Sequence, residues 1–131
     1  MEKSDQIWNR AVASEQPDSF RDGDRALHDV SQLTGLAANG GLLHAVGVLG
    51  PAGLGAAVAG LRWLGLDGLA GEVESFAREA GDDPDSLPLA TAEELELRGD
   101  ALYLGAVPDE AVEAAFRARL AERPEAFAPL D

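Results

Sequence analysis

Residues 39–64 read NGGLLHAVGVLGPAGLGAAVAGLRWL, and the way this segment folds decides the architecture of the chain. Up to Leu61 it belongs to a run of 32 residues, 30 to 61, that holds no Asp, Glu, Lys or Arg. Such a run exceeds the roughly 20 residues that span a bilayer. Its glycines at 35, 40, 41, 47, 50, 53, 55 and 60, with Asn39, His44 and Pro51, give it far less bulk than a lipid-facing helix carries. A buried core, with no membrane span, is therefore expected. Asn39, Gly40 and Gly41 tolerate positive φ and form the expected structural turn after a helix. Residues 42–49 then make a short buried helix, broken at Gly50-Pro51. From 52 to 64, Gly53, Gly55, Ala56, Ala59 and Gly60 allow close backbone contact, while Leu54, Val58, Leu61 and Trp63 supply bulk. Each interior glycine costs about 1 kcal/mol relative to alanine, so packing must hold this helix.

The same glycines permit a second interpretation. The apolar run 45–49, the turn Gly50-Pro51-Ala52-Gly53-Leu54-Gly55 and the segment 56–64 follow the order strand, glycine turn, helix that cradles a dinucleotide pyrophosphate. The spacing G-x-G-x-x-G is absent, because Gly53-x-Gly55 is followed by Val58. No β-branched run precedes Glu72 or Glu74, where a ribose-binding acid would fall. Tight helix packing accounts for the glycines with fewer requirements.

Outward from this centre, the periodicity is helical. Ser4 is a suitable cap for a helix from 5 to about 15, with Ile7, Trp8, Ala11 and Val12 on one face, ended by Pro17. A second helix starts near Asp22 or Asp24 and runs through Leu27, Val30 and Thr34 to Ala38. Residues 66–80 place Leu69, Val73, Phe76 and Ala77 on one stripe and Glu72, Glu74 and Glu79 outside it. Gly81 closes that helix, and Asp82-Asp83-Pro84-Asp85-Ser86 is a turn. Between 87 and 104 the pattern weakens: 93–98 is compatible with helix or extended chain, and 101–104 leans slightly to strand. Pro108 opens a final helix with Val112, Ala115, Phe116 and Leu120 on one stripe and arginines 117, 119 and 123 near its negative end; Pro124 ends it. The expected fold is all-α, a single compact domain over residues 1–131 with five to seven short helices.

The 131 residues carry 24 Asp and Glu against 10 Lys and Arg, a formal charge of −14, and no cysteine. Disulfides and thiolate metal sites are excluded, which suits a reducing, cytoplasmic setting. Direct nucleic-acid binding is opposed, since it depends on cations that displace phosphate counterions. Residues 1–10 alternate charged and polar side chains without the apolar region of a secretory signal. The lone histidines His28 and His44 stand 16 residues apart without metal-ligand spacing. Asp22-Gly23-Asp24 and Asp82-Asp83-x-Asp85 lack the later glycine and glutamate of a calcium loop. No G-x-S-x-G elbow occurs. No catalytic residue, metal or cofactor is assigned.

The charge is concentrated. Between 67 and 100 lie eleven acids, Asp67, Glu72, Glu74, Glu79, Asp82, Asp83, Asp85, Glu93, Glu94, Glu96 and Asp100, against Arg78 and Arg98, a net −9. Gathered on one face they would present a one-signed field to a basic partner; scattered, they are an ordinary solvated surface.

From Asn39-Gly40-Gly41-Leu42-Leu43 onward the chain resembles the DMP-nineteen-like DNA-mimic family of small helical proteins. The shared features are the N-G-G-hydrophobic turn, the break at Gly50-Pro51, a helix over 52–64 followed by Gly65, another helix over 66–80, an N-terminal tryptophan at Trp8 and the closing Pro124-Glu125-x-Phe127. Leu42, Leu43 and His44 depart from the aromatics expected after the glycine pair, and 82–105 align poorly. The resemblance implies an all-helical domain, able to form a homodimer, whose surface carboxylates in some members occupy a DNA-binding protein's basic groove.

The function expected is therefore a non-enzymatic, cytoplasmic interaction protein. Its eleven acids between 67 and 100 would dock a basic protein surface, as a DNA mimic does. Two alternatives stand beside it: an immunity protein that neutralises a basic toxin, and a nucleotide-binding enzyme using the turn from Gly50 to Gly55.

Overall fold

The computed structural model describes residues 2–13, 18–81, 83–106 and 108–130, with side chains described outside 103–109. Among them run six α-helices: α1 (Lys3–Val12), α2 (Asp22–Gly40), α3 (Leu42–Trp63), α4 (Asp67–Ala80), α5 (Leu89–Ala106) and α6 (Pro108–Glu122). Single 3₁₀ turns sit at Pro84–Ser86 and Pro124–Ala126, and no described residue is in a strand. The all-α expectation holds.

The central pair is α2 and α3, whose interface is the most extensive in the molecule. α2 buries Ala26, Leu27, Val30, Leu33 and Ala37, and α3 buries nine residues from Leu42 to Leu61. Gly60 is where the two backbones close up: a Cβ there would lie 2.7 Å from the Ala26 carbonyl oxygen and 2.9 Å from Val30 Cγ2. No other residue fits that crossing. α1 packs on α2, α4 on α3, and α5 lies across α3 and α4. An aromatic chain ties the remaining elements together. Trp8 of α1 meets Phe116 of α6 edge-on at 5.6 Å, Phe116 meets Phe127 of the tail at 5.6 Å, and Phe127 meets Trp63 of α3 at 5.8 Å.

Gly41, with φ 90°, separates α2 from α3, and its N–H reaches the Ala37 carbonyl at 2.8 Å. The expected three-residue turn at 39–41 is thus narrower: Asn39 and Gly40 remain in α2, because one residue with positive φ suffices to reverse the chain. The break at Gly50-Pro51 is present as a kink, Gly50 taking φ 68° between two helical halves, 42–49 and 51–63. Proline disfavours helical geometry in the residue before it, and glycine accepts the alternative.

By length and composition α3 alone, among the described residues, would be able to cross a membrane. Its bend and its interfaces with α2 and α4 make it the central helix of this fold.

Two boundaries differ from expectation. Ser4 lies inside α1 rather than capping it, since Glu2 occupies the N-cap position and Gln6 donates its N–H to the Glu2 carbonyl. α1 ends at Val12; Glu15 and Pro17 lie outside the described residues. The ambiguous stretch 93–104 is helical throughout. Its inward positions, Ala92, Leu95, Gly99 and Leu102, have helical spacing, but the exposed Leu89 and Leu97 blur that pattern in the sequence.

Candidate functional site

The acids of 67–100 are carried by α4, the turn after it and α5. α4 buries Ala70, Val73, Phe76 and Ala80, which leaves Asp67, Glu72 and Glu79 facing water. α5 buries Leu95 and Gly99. A Cβ on Gly99 would stand 3.0 Å from the Phe76 ring and 3.1 Å from Leu42 Cβ, so this glycine seats α5 against α3 and α4 together.

That seating splits the acids between the two flanks of α5. On one flank, an open groove of about 760 Å³ between α4 and α5 is bordered by Asp67, Glu72, Glu74 and Glu79, together with Arg78 and Arg98. On the other, an open groove of about 790 Å³ runs between α5, the turn at Pro84–Ser86 and the first turns of α3. Asp85, Glu96 and Asp100 border it without an arginine or lysine. Asp83, Glu93 and Glu94 are exposed and border neither groove; Asp82 lies outside the described residues. A single acidic wall is not what the helices build.

Arginines neutralise part of the set. Glu74 meets Arg62 at 3.3 Å and Arg78 at 3.7 Å. Arg98 joins the two helices by pairing with Glu79 on α4 and Glu94 on α5. The hydrogen bond that Arg98 donates to Glu79, and then the Glu79 charge, raise the guanidinium pKa above its ordinary value. Exposed pairs of this kind add little stability. Seven carboxylates remain without an ion pair among the described residues: Asp67, Glu72, Asp83, Asp85, Glu93, Glu96 and Asp100. Most other cations are engaged elsewhere. Arg117 meets Glu2, Asp5 and Glu113, Arg119 meets Glu122, Arg123 meets Glu125, Arg25 meets Asp22 and Arg10 meets Asp24. Most of the excess negative charge, −9 of the −14, therefore lies on α4, α5 and their connection.

The other sequence candidates have structural surroundings. His28 is buried, its Nδ1 2.9 Å from the Ala11 carbonyl oxygen at the end of α1, and its ring meets Phe20 edge-on. His44 is exposed and lies over the Gly40 backbone. No group of three His, Asp or Glu suited to a metal occurs among the described residues. Residues 45–49, which a dinucleotide cradle requires as a strand, are the first half of α3. Gly50 to Gly55 is thus a helix kink and the start of the second helical half.

Sequence reasoning missed one residue altogether. Asp24, taken only as a helix start, is fully buried at 0% exposure. Its Oδ2 accepts the Arg21 N–H at 3.0 Å and the Ala128 N–H at 2.7 Å, and its Oδ1 accepts from the Arg10 guanidinium. Arg10 in turn donates to the Ala128 and Pro129 carbonyls. One carboxylate thus joins α1, the start of α2 and the C-terminal tail. Nothing in the sequence marks it; the structure shows the neighbouring Gly23 likewise buried, where a Cβ would run into the Phe127 ring at 2.8 Å.

Asp29, half-buried on α2, has its carboxyl raised above the ordinary value, chiefly by burial, with His28 and Arg25 pulling the other way. A folded-state value above the unfolded one means that the native state holds the proton more tightly. Stability then falls as pH rises through that window. Asp29→Asn is therefore expected to raise the melting temperature at pH 7, with the gain shrinking below about pH 4, near the unfolded aspartate value. Melting curves at the two pH values test this; a variant less stable than the parent at pH 7 refutes it.

No protein family, curated protein or solved structure matches the chain. The likeness to the DNA-mimic family accordingly rests on the sequence motifs alone.

Proposed function

We propose that this protein is a non-catalytic acidic interaction protein that docks a basic protein surface. The observation carrying this reading is the set of seven exposed, unpaired carboxylates on α4, α5 and their connection, in a molecule whose cations are mostly committed to other acids. Charge of this kind acts mainly on encounter rate and partner choice, with affinity coming from a smaller apolar contact. The partner is a cationic protein surface, of the sort a DNA-binding protein or a basic toxin presents. The absence of cysteine suits action in a reducing, cytoplasmic compartment.

Partner binding is expected to weaken steeply with salt and to be competed by duplex DNA. Two unpaired acids, Asp85 in the turn before α5 and Glu96 on α5, allow a direct test through Asp85→Lys with Glu96→Lys. The exchange leaves every ion pair described above intact, so the fold should survive, as circular dichroism would verify. Proteins captured on the immobilised parent at low ionic strength should be released by duplex DNA and lost from the double variant. Retention of the same partner by the variant, at unchanged salt sensitivity, overturns the reading.

A further inference from the structure

Charge attracts a partner but does not anchor it, and the two flanks of α5 differ in what else they offer. The described residues include three large apolar side chains that are strongly exposed: Val48 at 58%, Leu89 at 75% and Leu97 at 73%. Two of the three, Val48 and Leu89, border the same groove as Asp85, Glu96 and Asp100. The helical geometry of α5 explains the grouping. Leu89, Ala92, Glu96 and Asp100 follow one another at steps of three and four residues, and so share the face that fronts the first turns of α3. Leu97 stands outside it.

The positive end of α3 does not reverse the sign of this groove. α3 begins without a side-chain cap, but the Asp100 carboxylate lies beside that end, its Oδ1 3.2 Å from where a Cβ on Gly41 would be. Asp85, Glu96 and Asp100 have no ion pair among the described residues. A second copy of this chain would bring its own −14 charge against three carboxylates. A cationic segment meets them with the opposite sign.

We propose that this groove, rather than the arginine-crossed one between α4 and α5, anchors the basic partner. It takes an apolar side chain of the partner between Val48 and Leu89, while lysines or arginines on either side of that residue meet Asp85, Glu96 and Asp100. The inference rests on the interaction reading above and adds to it the anchor and the type of peptide segment that fits.

Two fluorescein-labelled peptides of equal length and charge test it by anisotropy, one alternating lysine with leucine and the other lysine with serine. The leucine peptide is expected to bind the parent about tenfold more tightly, as burial of an aliphatic side chain at a contact predicts. Leu89→Ser and Val48→Ser should remove that preference and leave the serine peptide's affinity unchanged. Leu97→Ser, an equally exposed leucine on the same helix, should keep it. All three positions are exposed, so the variants should fold. Equal affinity for the two peptides, or a loss with Leu97→Ser as large as with Leu89→Ser, overturns the anchor. If the serine peptide still binds in a salt-sensitive way, the acidic interaction reading survives that failure. If neither peptide binds at low salt, both fall.

Discussion

Asp24→Asn is expected to reduce the unfolding free energy by about 3–5 kcal/mol, the range found when one partner of a buried ion pair is removed. The substitution keeps the shape and an acceptor for the Ala128 N–H, but leaves the Arg10 guanidinium facing a neutral group where the carboxylate stood. A domain of this size should lose about 10–20 °C in melting temperature. The neighbouring Asp22→Asn is the control. Asp22 is exposed on the same helical turn and pairs only loosely with Arg25 at 3.7 Å, so its loss should change stability by about 0.5 kcal/mol or less. Urea unfolding of both variants separates a buried node from a helix-dipole effect, which would treat the two acids alike. An Asp24→Asn variant within 1 kcal/mol of the parent would show that the node contributes little.

The second large effect is a change of sign between two glycines of one helix. Gly60→Ala should destabilise by about 1–3 kcal/mol, because its methyl group would meet the Ala26 carbonyl oxygen at 2.7 Å and α2 would have to move away. Gly55→Ala should stabilise by up to about 1 kcal/mol, since a Cβ there meets nothing within 4 Å and alanine is the better helix former. The pair is informative because helix propensity alone predicts a gain at both sites. Only the close α2–α3 crossing predicts opposite signs. Two stabilised variants would mean that the helices can separate at little cost, and that the glycine-rich segment is not held by close packing.

The helical class was legible because most elements announce themselves within a few residues. The stripe Leu69, Val73, Phe76 and Ala77 and the stripe Val112, Ala115, Phe116 and Leu120 face inward as their spacing predicts, with Leu69, Ala77, Ala115 and Leu120 partly covered. Gly81 ends α4 with φ 75°, and Pro108 opens α6. α5 was less legible because it leaves Leu89 and Leu97 in water, so that its apolar residues no longer mark a single face.

The candidate site was legible as a list and not as an arrangement. Composition located every acid between 67 and 100. It did not show that α5 sends Glu96 and Asp100 to one flank and Arg98 to the other, or that Arg62, from α3, would cover Glu74.

What the sequence determined by itself was the all-helical class, the breaks at Gly41, Gly50 and Gly81, and the surplus of negative charge. These are local or additive properties, set by backbone freedom, apolar spacing and simple counting. The tertiary structure alone decided which acids stay unpaired, which groove also holds exposed Val48 and Leu89, and that Asp24 joins Arg10 to Ala128 across 118 residues of chain. Each of those depends on distances between residues far apart in the chain, and packing sets such distances only after all the helices have docked.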